Sequence, residues 1–439
     1  MLFGWLQYAG AIPATTDFLL DNGLKLIVQA DHRAPVAVVQ VWYRVGGSYE
    51  LDGATGVSHA VEHMMFKRTK RLATGEFSRV VADHGGRENA FTTPDYTTYF
   101  QQWSADNVEL SFELEAERMH NLVLDPAEFA NELKVIREER RLRTDDNAHA
   151  LAFETVLANT WQTSPYRQPV IGWAADIDQM ALEDLSAWYH RYYAPNNAIV
   201  VVVGDVEPKT VLALAAKHFG PLAARQIPTL KDRPEIVQRG EKRLTFASDK
   251  LKIPKLILNY KVPGLAQRGR GIPPVEGWEI SALEVLAATL DGGASARFER
   301  NLVRGRELAL GAGASYQGLS RLEDLFTLEG EPREGVTLEA LEVAIKAEIK
   351  AIKMTPPAND EFARIKIAAV AEAIYQQDSM FGQAMIIGSL AVIGMDWRLK
   401  DQHVDNIRAV TSEQVQAVAR KYLNDERATV AYLVPAKTP

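Results

Sequence analysis

The chain has 439 residues and a mass of 48.7 kDa, a length that suggests two or three domains. Its hydrophobic content of 47% and charged content of 24% are those of an ordinary globular protein, and a net charge of −8 does not favour a nucleic-acid partner. There is no cysteine, which excludes disulfides and Cys-ligated metals, and no run of about eighteen apolar residues, so no membrane-spanning helix is expected.

Met1–Ala14 is apolar and ends in small residues, as the remnant of a secretory leader would, yet it lacks a basic start. Cytoplasmic and bacterial-periplasmic locations both stay open. Val36–Val45 reads as a strand. The next segment is Gly56-Val-Ser-His-Ala-Val-Glu-His-Met-Met-Phe66. On a helix, positions i and i+4 are about 40° apart around the axis, so His59 and His63 project side by side. Glu62 stands on the rim of the same face. This H-x-x-E-H order reverses the commoner zinc motif. It supplies two imidazoles for a metal and a carboxylate for a water's proton, and the third ligand must come from elsewhere.

Gly85-Gly86 leads into a strand at Asn89-Ala90-Phe91-Thr92. Asp125 to Arg143 reads as a helix, capped by Asp125 with Pro126 in its first turn and an apolar stripe of Phe129, Leu133 and Ile136. Glu132 and Glu139 are seven apart and share a face, while Glu138 points about 100° away. Charges at Glu138, Glu139, Arg140, Arg141 and Arg143 also suit a solvated helix, so these residues alone leave the third ligand open. The helix Ala181–Tyr193 leads into the strand Ala198–Val203, and Thr411–Leu423 leads in the same way into Ala428–Val434. Val36–Val45 likewise has a counterpart in Lys255–Val262. The chain therefore reads as a divergent duplication of α+β halves, each a sheet with helices on one face, joined through the polar stretch 223–240. The expected domains are 1–225, with the metal motif, and 226–439, without one. His32, His84, His120, His149, His190, His218 and His403 have no ligand spacing.

These motifs resemble the M16 family of zinc peptidases, the pitrilysin and mitochondrial-processing-peptidase group. The resemblance is carried by Asn22–Val28, the His59–His63 motif, Gly86–Tyr99, Ser164–Gly172 and Tyr192–Asp205, all in order along the chain. It implies two homologous α/β sandwich domains forming half of a clamshell-like chamber, and one Zn²⁺ per chain. It also implies a third ligand in the 125–143 helix, at the spacing where Glu139 stands, 76 residues after His63. Glu62 is then the general base, and Glu132 orients a ligand or tunes the site. Asn89, Ala90 and Phe91 form an edge to which an extended peptide substrate adds.

One feature departs from the family. An Arg and a Tyr seven residues apart in the second half ordinarily hold substrate there. In one register Val303 and Leu310 occupy those positions, and in the next Arg304 and Gly311 do. Neither register keeps the pair. The resemblance then implies a heterodimer with a metal-free relative that supplies both residues, with a homodimer as the second choice. The rival reading is a non-catalytic scaffold or peptide-binding subunit.

Overall fold

A computed structural model describes residues 15–231, 233–270 and 274–436. The leader-like Met1–Ala14 lies outside them. The first half forms a six-stranded sheet from β1 (Thr15–Leu19), β2 (Lys25–Ala30), β3 (Val36–Tyr43), β4 (Arg87–Thr92), β5 (Thr97–Ser104) and β6 (Ala198–Gly204). The second half forms a five-stranded sheet from β7 (Lys242–Ser248), β8 (Lys255–Val262), β9 (Ala309–Ser315), β10 (Asp324–Pro332) and β11 (Ala428–Pro435). The spatial orders are β1-β2-β6-β3-β5-β4 and β7-β11-β8-β10-β9. With the extra strand β1 removed the two orders coincide. In both, the single parallel pair joins the opening strand to the closing one, β2 to β6 and β7 to β11. The duplication read from the closing helix–strand units is thus present strand by strand.

The expectation of helices on only one face needs correction. Strand β6, Ala-Ile-Val-Val-Val-Val-Gly, is buried along its whole length. A β-strand sends alternate side chains to opposite faces, so a continuous apolar run asks for cover on both. Val200 and Val202 pack among the first half's own helices, with Leu26, Val28, Val39 and Val41. Ile199, Val201 and Val203 face the other way and meet Ala384, Ile387 and Ala391 of the helix Met380–Val392, which belongs to the second half. The exchange is reciprocal. Helix Ala148–Thr160 of the first half lays Ala148, Ala152 and Val156 against Ile257, Ala431 and Leu433 of the second sheet. Each half therefore completes the other's core.

Small residues make the exchange possible. A Cβ on Gly388 would meet the Trp42 ring at 2.1 Å. Gly388→Ala is expected to destabilise the chain by about 1–3 kcal/mol through overpacking, despite the better helix propensity of Ala. Denaturant unfolding checks this, and a stability equal to or above wild type contradicts it.

Candidate metal centre

The motif helix runs Val57–Met64. Two devices fix its start. Gly56 takes the left-handed conformation at φ +87°, and a Cβ there would meet the Ile171 carbonyl at 2.5 Å. Glu50, fully buried, accepts hydrogen bonds from the Gly56 and Ser58 backbone N–H groups at 2.7 Å each. These are the orphan donors that open any helix, and a carboxylate suits the positive end of the helix dipole. Desolvation pushes the Glu50 carboxyl up to about 8 against those bonds.

The helix Pro126–Arg140 begins as its sequence predicts, with Asp125 accepting from the Ala127 and Glu128 N–H groups at 2.9 and 3.1 Å. Phe129 and Ile136 are buried, which turns Glu132 and Glu139 toward the motif helix. Glu138 faces solvent and pairs with Arg141 at 2.7 Å. Packing thus turns Glu139, and not the adjacent Glu138, toward the histidines.

His59 Nε2, His63 Nε2 and a Glu139 oxygen converge. The two nitrogens lie 3.6 and 3.3 Å from Glu139 Oε2, and all three candidate ligand atoms fall within 4.8 Å of one another. No other cluster of this kind occurs among the described residues. A tetrahedral ion with ligands at about 2.0–2.2 Å separates those ligands by about 3.3–3.6 Å, the range in which Glu139 stands from each histidine. Two imidazoles and one carboxylate are donors zinc accepts, and three protein ligands leave one position open.

The surroundings hold these groups in place. Glu132 Oε2 lies 3.1 Å from His63 Nδ1, which leaves Nε2 free to face Glu139. Lys67 pairs with Glu132, and Arg143 pairs with Glu139. Glu62 is mostly buried and accepts a hydrogen bond from the Thr92 hydroxyl at the end of β4. Burial raises the Glu62 carboxyl, with the Thr92 bond opposing. Burial and the neighbouring His63 lower His59 to about 4. For His63, burial acts downward, but hydrogen bonds to Glu132 and Glu139 outweigh it and raise the imidazole to about 9. A metal at this site must therefore displace a proton from His63 at neutral pH. Zinc affinity is expected to rise about tenfold per pH unit from 6 toward 9, because the competing proton leaves as pH rises. Competition titration against a chelator of known affinity measures this. An affinity flat between pH 6 and 8 contradicts it.

Asn89, Ala90 and Phe91 lie in β4, which pairs with β5 on one side and is the open edge of the first sheet on the other. Ala90 is buried, Phe91 half-buried and Asn89 exposed. In the second half Leu310 is 52% exposed on β9, and Arg304 is tied to Glu299 at 3.0 Å. The Tyr316 hydroxyl is spent on the Pro263 carbonyl at 2.7 Å. Sequence reasoning missed Glu50, Lys67, Thr92 and Arg143. Of these, only Arg143 carried a signal, four residues after Glu139, with which it pairs.

Comparison with known proteins agrees with this geometry. Residues 25–173 match the family described as Insulinase (Peptidase family M16), and residues 179–369 match the Peptidase M16 inactive domain. The chain is 32% identical over 432 residues to the zinc protease PqqE of Helicobacter pylori, covering 97% of this chain and 94% of that protein. A crystal structure of a protease from Helicobacter pylori superposes with a TM-score of 0.88 at 31% identity, over 96% of this chain and 99% of that one. The periplasmic protease PqqL of Escherichia coli shares the fold at a TM-score of 0.80 and 18% identity. There the match takes 96% of this chain but 47% of PqqL. Relatives bearing the name zinc protease support a peptidase role, and the His59–His63–Glu139 group points to a metal. Among the described residues no helix is long and apolar enough to cross a membrane. Fold, motif order and full-length identity together make this chain a member of the M16 peptidase family.

Proposed function

We propose that this chain is a zinc endopeptidase subunit that cleaves short or unfolded peptides bound in extended form. The observation that carries the reading is the convergence of His59, His63 and Glu139 beside Glu62. In this reading the two histidines and Glu139 hold one Zn²⁺ per chain. Zinc bound there supplies Lewis acidity to a water and to the scissile carbonyl. Glu62 takes the water's proton and later returns one to the leaving amine. Its buried, proton-retaining environment suits that exchange. Glu132 fixes the His63 ring through Nδ1. The peptide adds to the open edge of β4 at Asn89, Ala90 and Phe91 through main-chain hydrogen bonds. The domains divide as 1–225 and 226–439.

The partner in this reading is a metal-free relative supplying the Arg and Tyr, with a second copy of the chain as the alternative. Each subunit would form half of a chamber that admits extended chains and excludes folded domains. Support comes from the exposed Leu310 and the engaged Arg304 and Tyr316, and from PqqL, a single chain of which this one spans 47%.

The test is peptide hydrolysis by the purified zinc-loaded chain, alone and mixed with such a relative, alongside metal analysis. Zinc near one per chain with turnover only in the mixture is the expected result. A kcat above about 1 s⁻¹ for the chain alone, an ordinary enzyme rate, refutes the need for a partner. No zinc and no turnover in either sample refutes the peptidase reading in favour of a scaffold.

A further inference from the structure

The second half reaches into the first close to the metal site. Strands β4 and β5 are joined by a short turn, residues 93–96, which starts directly after Thr92, whose hydroxyl holds Glu62. Asp95 lies in this turn and is 6% exposed. Its Oδ1 accepts from the Ser48 hydroxyl at 3.1 Å, and its Oδ2 accepts from the Tyr166 hydroxyl. The remaining partner is Arg321, from the loop between β9 and β10. The Arg321 backbone N–H donates to Oδ2 at 2.9 Å, and Nε stands 3.4 Å from Oδ1. Nη2 donates to Ser48 Oγ at 2.8 Å, and the guanidinium lies over the Tyr49 ring, 4.7 Å from its centre. Among the described residues no other cation comes within 4.0 Å of Asp95.

The loop that presents Arg321 is itself fixed. The Leu265 N–H donates to the Gly318 carbonyl at 2.7 Å, and Asp324 accepts from the Gly318 N–H at 3.0 Å. The N–H groups of Arg321 and Leu322 also reach the Tyr166 hydroxyl, each at 3.1 Å.

Two bodies meet at this point. One is the motif helix with its cap. Glu50, two residues beyond Ser48, holds the Gly56 and Ser58 N–H groups, and Glu62 rides on that helix. The other is the β4–β5 hairpin, which carries Thr92. The Gly47 N–H donates to the Thr93 carbonyl at 3.0 Å and the Ser48 N–H to the Pro94 carbonyl at 2.7 Å, which stitches the two together. Asp95 is packed into the same seam. Removing the partner of a buried charge leaves that charge uncompensated. Without Arg321, Asp95 must protonate, admit water or swing out, and each of these disturbs a seam that ends at the Thr92–Glu62 bond.

We propose that Arg321 is a positioning residue for the metal site. It neutralises Asp95, which keeps the hairpin turn in register with the motif helix and so keeps the Thr92 hydroxyl on Glu62. Its effect on turnover rests on the reading of Glu62 as general base. The second half thereby acts on the site from within the same chain, separately from the Arg and Tyr that it lacks.

The test is Arg321→Met, which keeps an unbranched side chain and removes the charge. Hydrolysis of a quenched-fluorescent peptide by the zinc-loaded chain with its partner should show kcat lowered by about tenfold or more, as for a misplaced catalytic group. KM should stay within about twofold of wild type, because β4 keeps its ladder to β5 through Asn89, Ala90 and Phe91. Zinc content should not change. Arg321→Lys, which returns a cation to Asp95, should recover most of the loss. Amide hydrogen exchange of the zinc-loaded chain gives a readout that needs no turnover. Arg321→Met should speed exchange by about tenfold or more across residues 92–97 and leave the 126–140 helix as in wild type. Should Arg321→Met fail to fold, Ser48→Ala removes one acceptor of the guanidinium and should give the same pattern at smaller size. Wild-type kcat in Arg321→Met, a loss seen only in KM, a loss of zinc, or equal losses in the Met and Lys variants overturns the proposal. If the wild type itself shows no turnover, the peptidase reading fails and exchange alone decides the role of Arg321. Unchanged exchange at 92–97 then overturns it.

Discussion

Glu62→Gln is expected to lower kcat for peptide hydrolysis by about 10²–10⁴-fold while metal content stays at the wild-type level. The range is that of a general acid–base group removed from an otherwise assembled site. Gln fills the same volume, and its amide oxygen can still accept the Thr92 hydroxyl bond that holds Glu62 in the fold. What it cannot do is take a proton. The convergence of His59, His63 and Glu139 does not pass through Glu62, so metal binding should be untouched. Steady-state hydrolysis and metal analysis on the same preparation read both quantities. Loss of metal in this variant would make Glu62 a ligand, and wild-type turnover would place the base elsewhere.

The second large effect separates two glutamates on one helix. Glu139→Gln and His63→Ala should each weaken zinc binding by well over a hundredfold, because each removes a donor from a three-donor set. Glu132→Gln should weaken it by only about 10–100-fold, the usual cost of losing a group that orients a ligand. Glu132 touches His63 at Nδ1, on the side of the ring away from the candidate metal position. The fold should survive the Glu139 change, because Arg143, the residue left unpaired, is 76% exposed and keeps its hydration. Chelator competition gives the three affinities. Equal losses for Glu132→Gln and Glu139→Gln would refute the division of roles.

Both effects depend on contacts at very different sequence separations. The side-by-side histidines follow from a four-residue spacing and the pitch of a helix, and they were legible from the chain alone. The same holds for the Asp125-Pro126 start of the 126–140 helix and for the strand at Ala198–Val203. The matching helix–strand closures announced the duplication, and the two sheets repeat the same strand order. In each case a short segment carries its own geometry, and the burial pattern follows from the period of side chains along a helix or strand.

Long-range packing decided the rest. Local helical geometry alone did not separate Glu138 from Glu139. Burial of Phe129 and Ile136 turned one toward His63 and left the other in water. Glu50 under the motif helix and Thr92 on Glu62 join residues whose proximity no local period encodes. The second face of each sheet is covered by a helix from the opposite half, because apolar strands exposed on two faces must bury both. Local sequence therefore determined the elements, their periodic faces and the two-histidine motif. Tertiary structure decided which carboxylates reach those histidines and which helix covers which sheet, since each depends on the balance of burial over the whole chain.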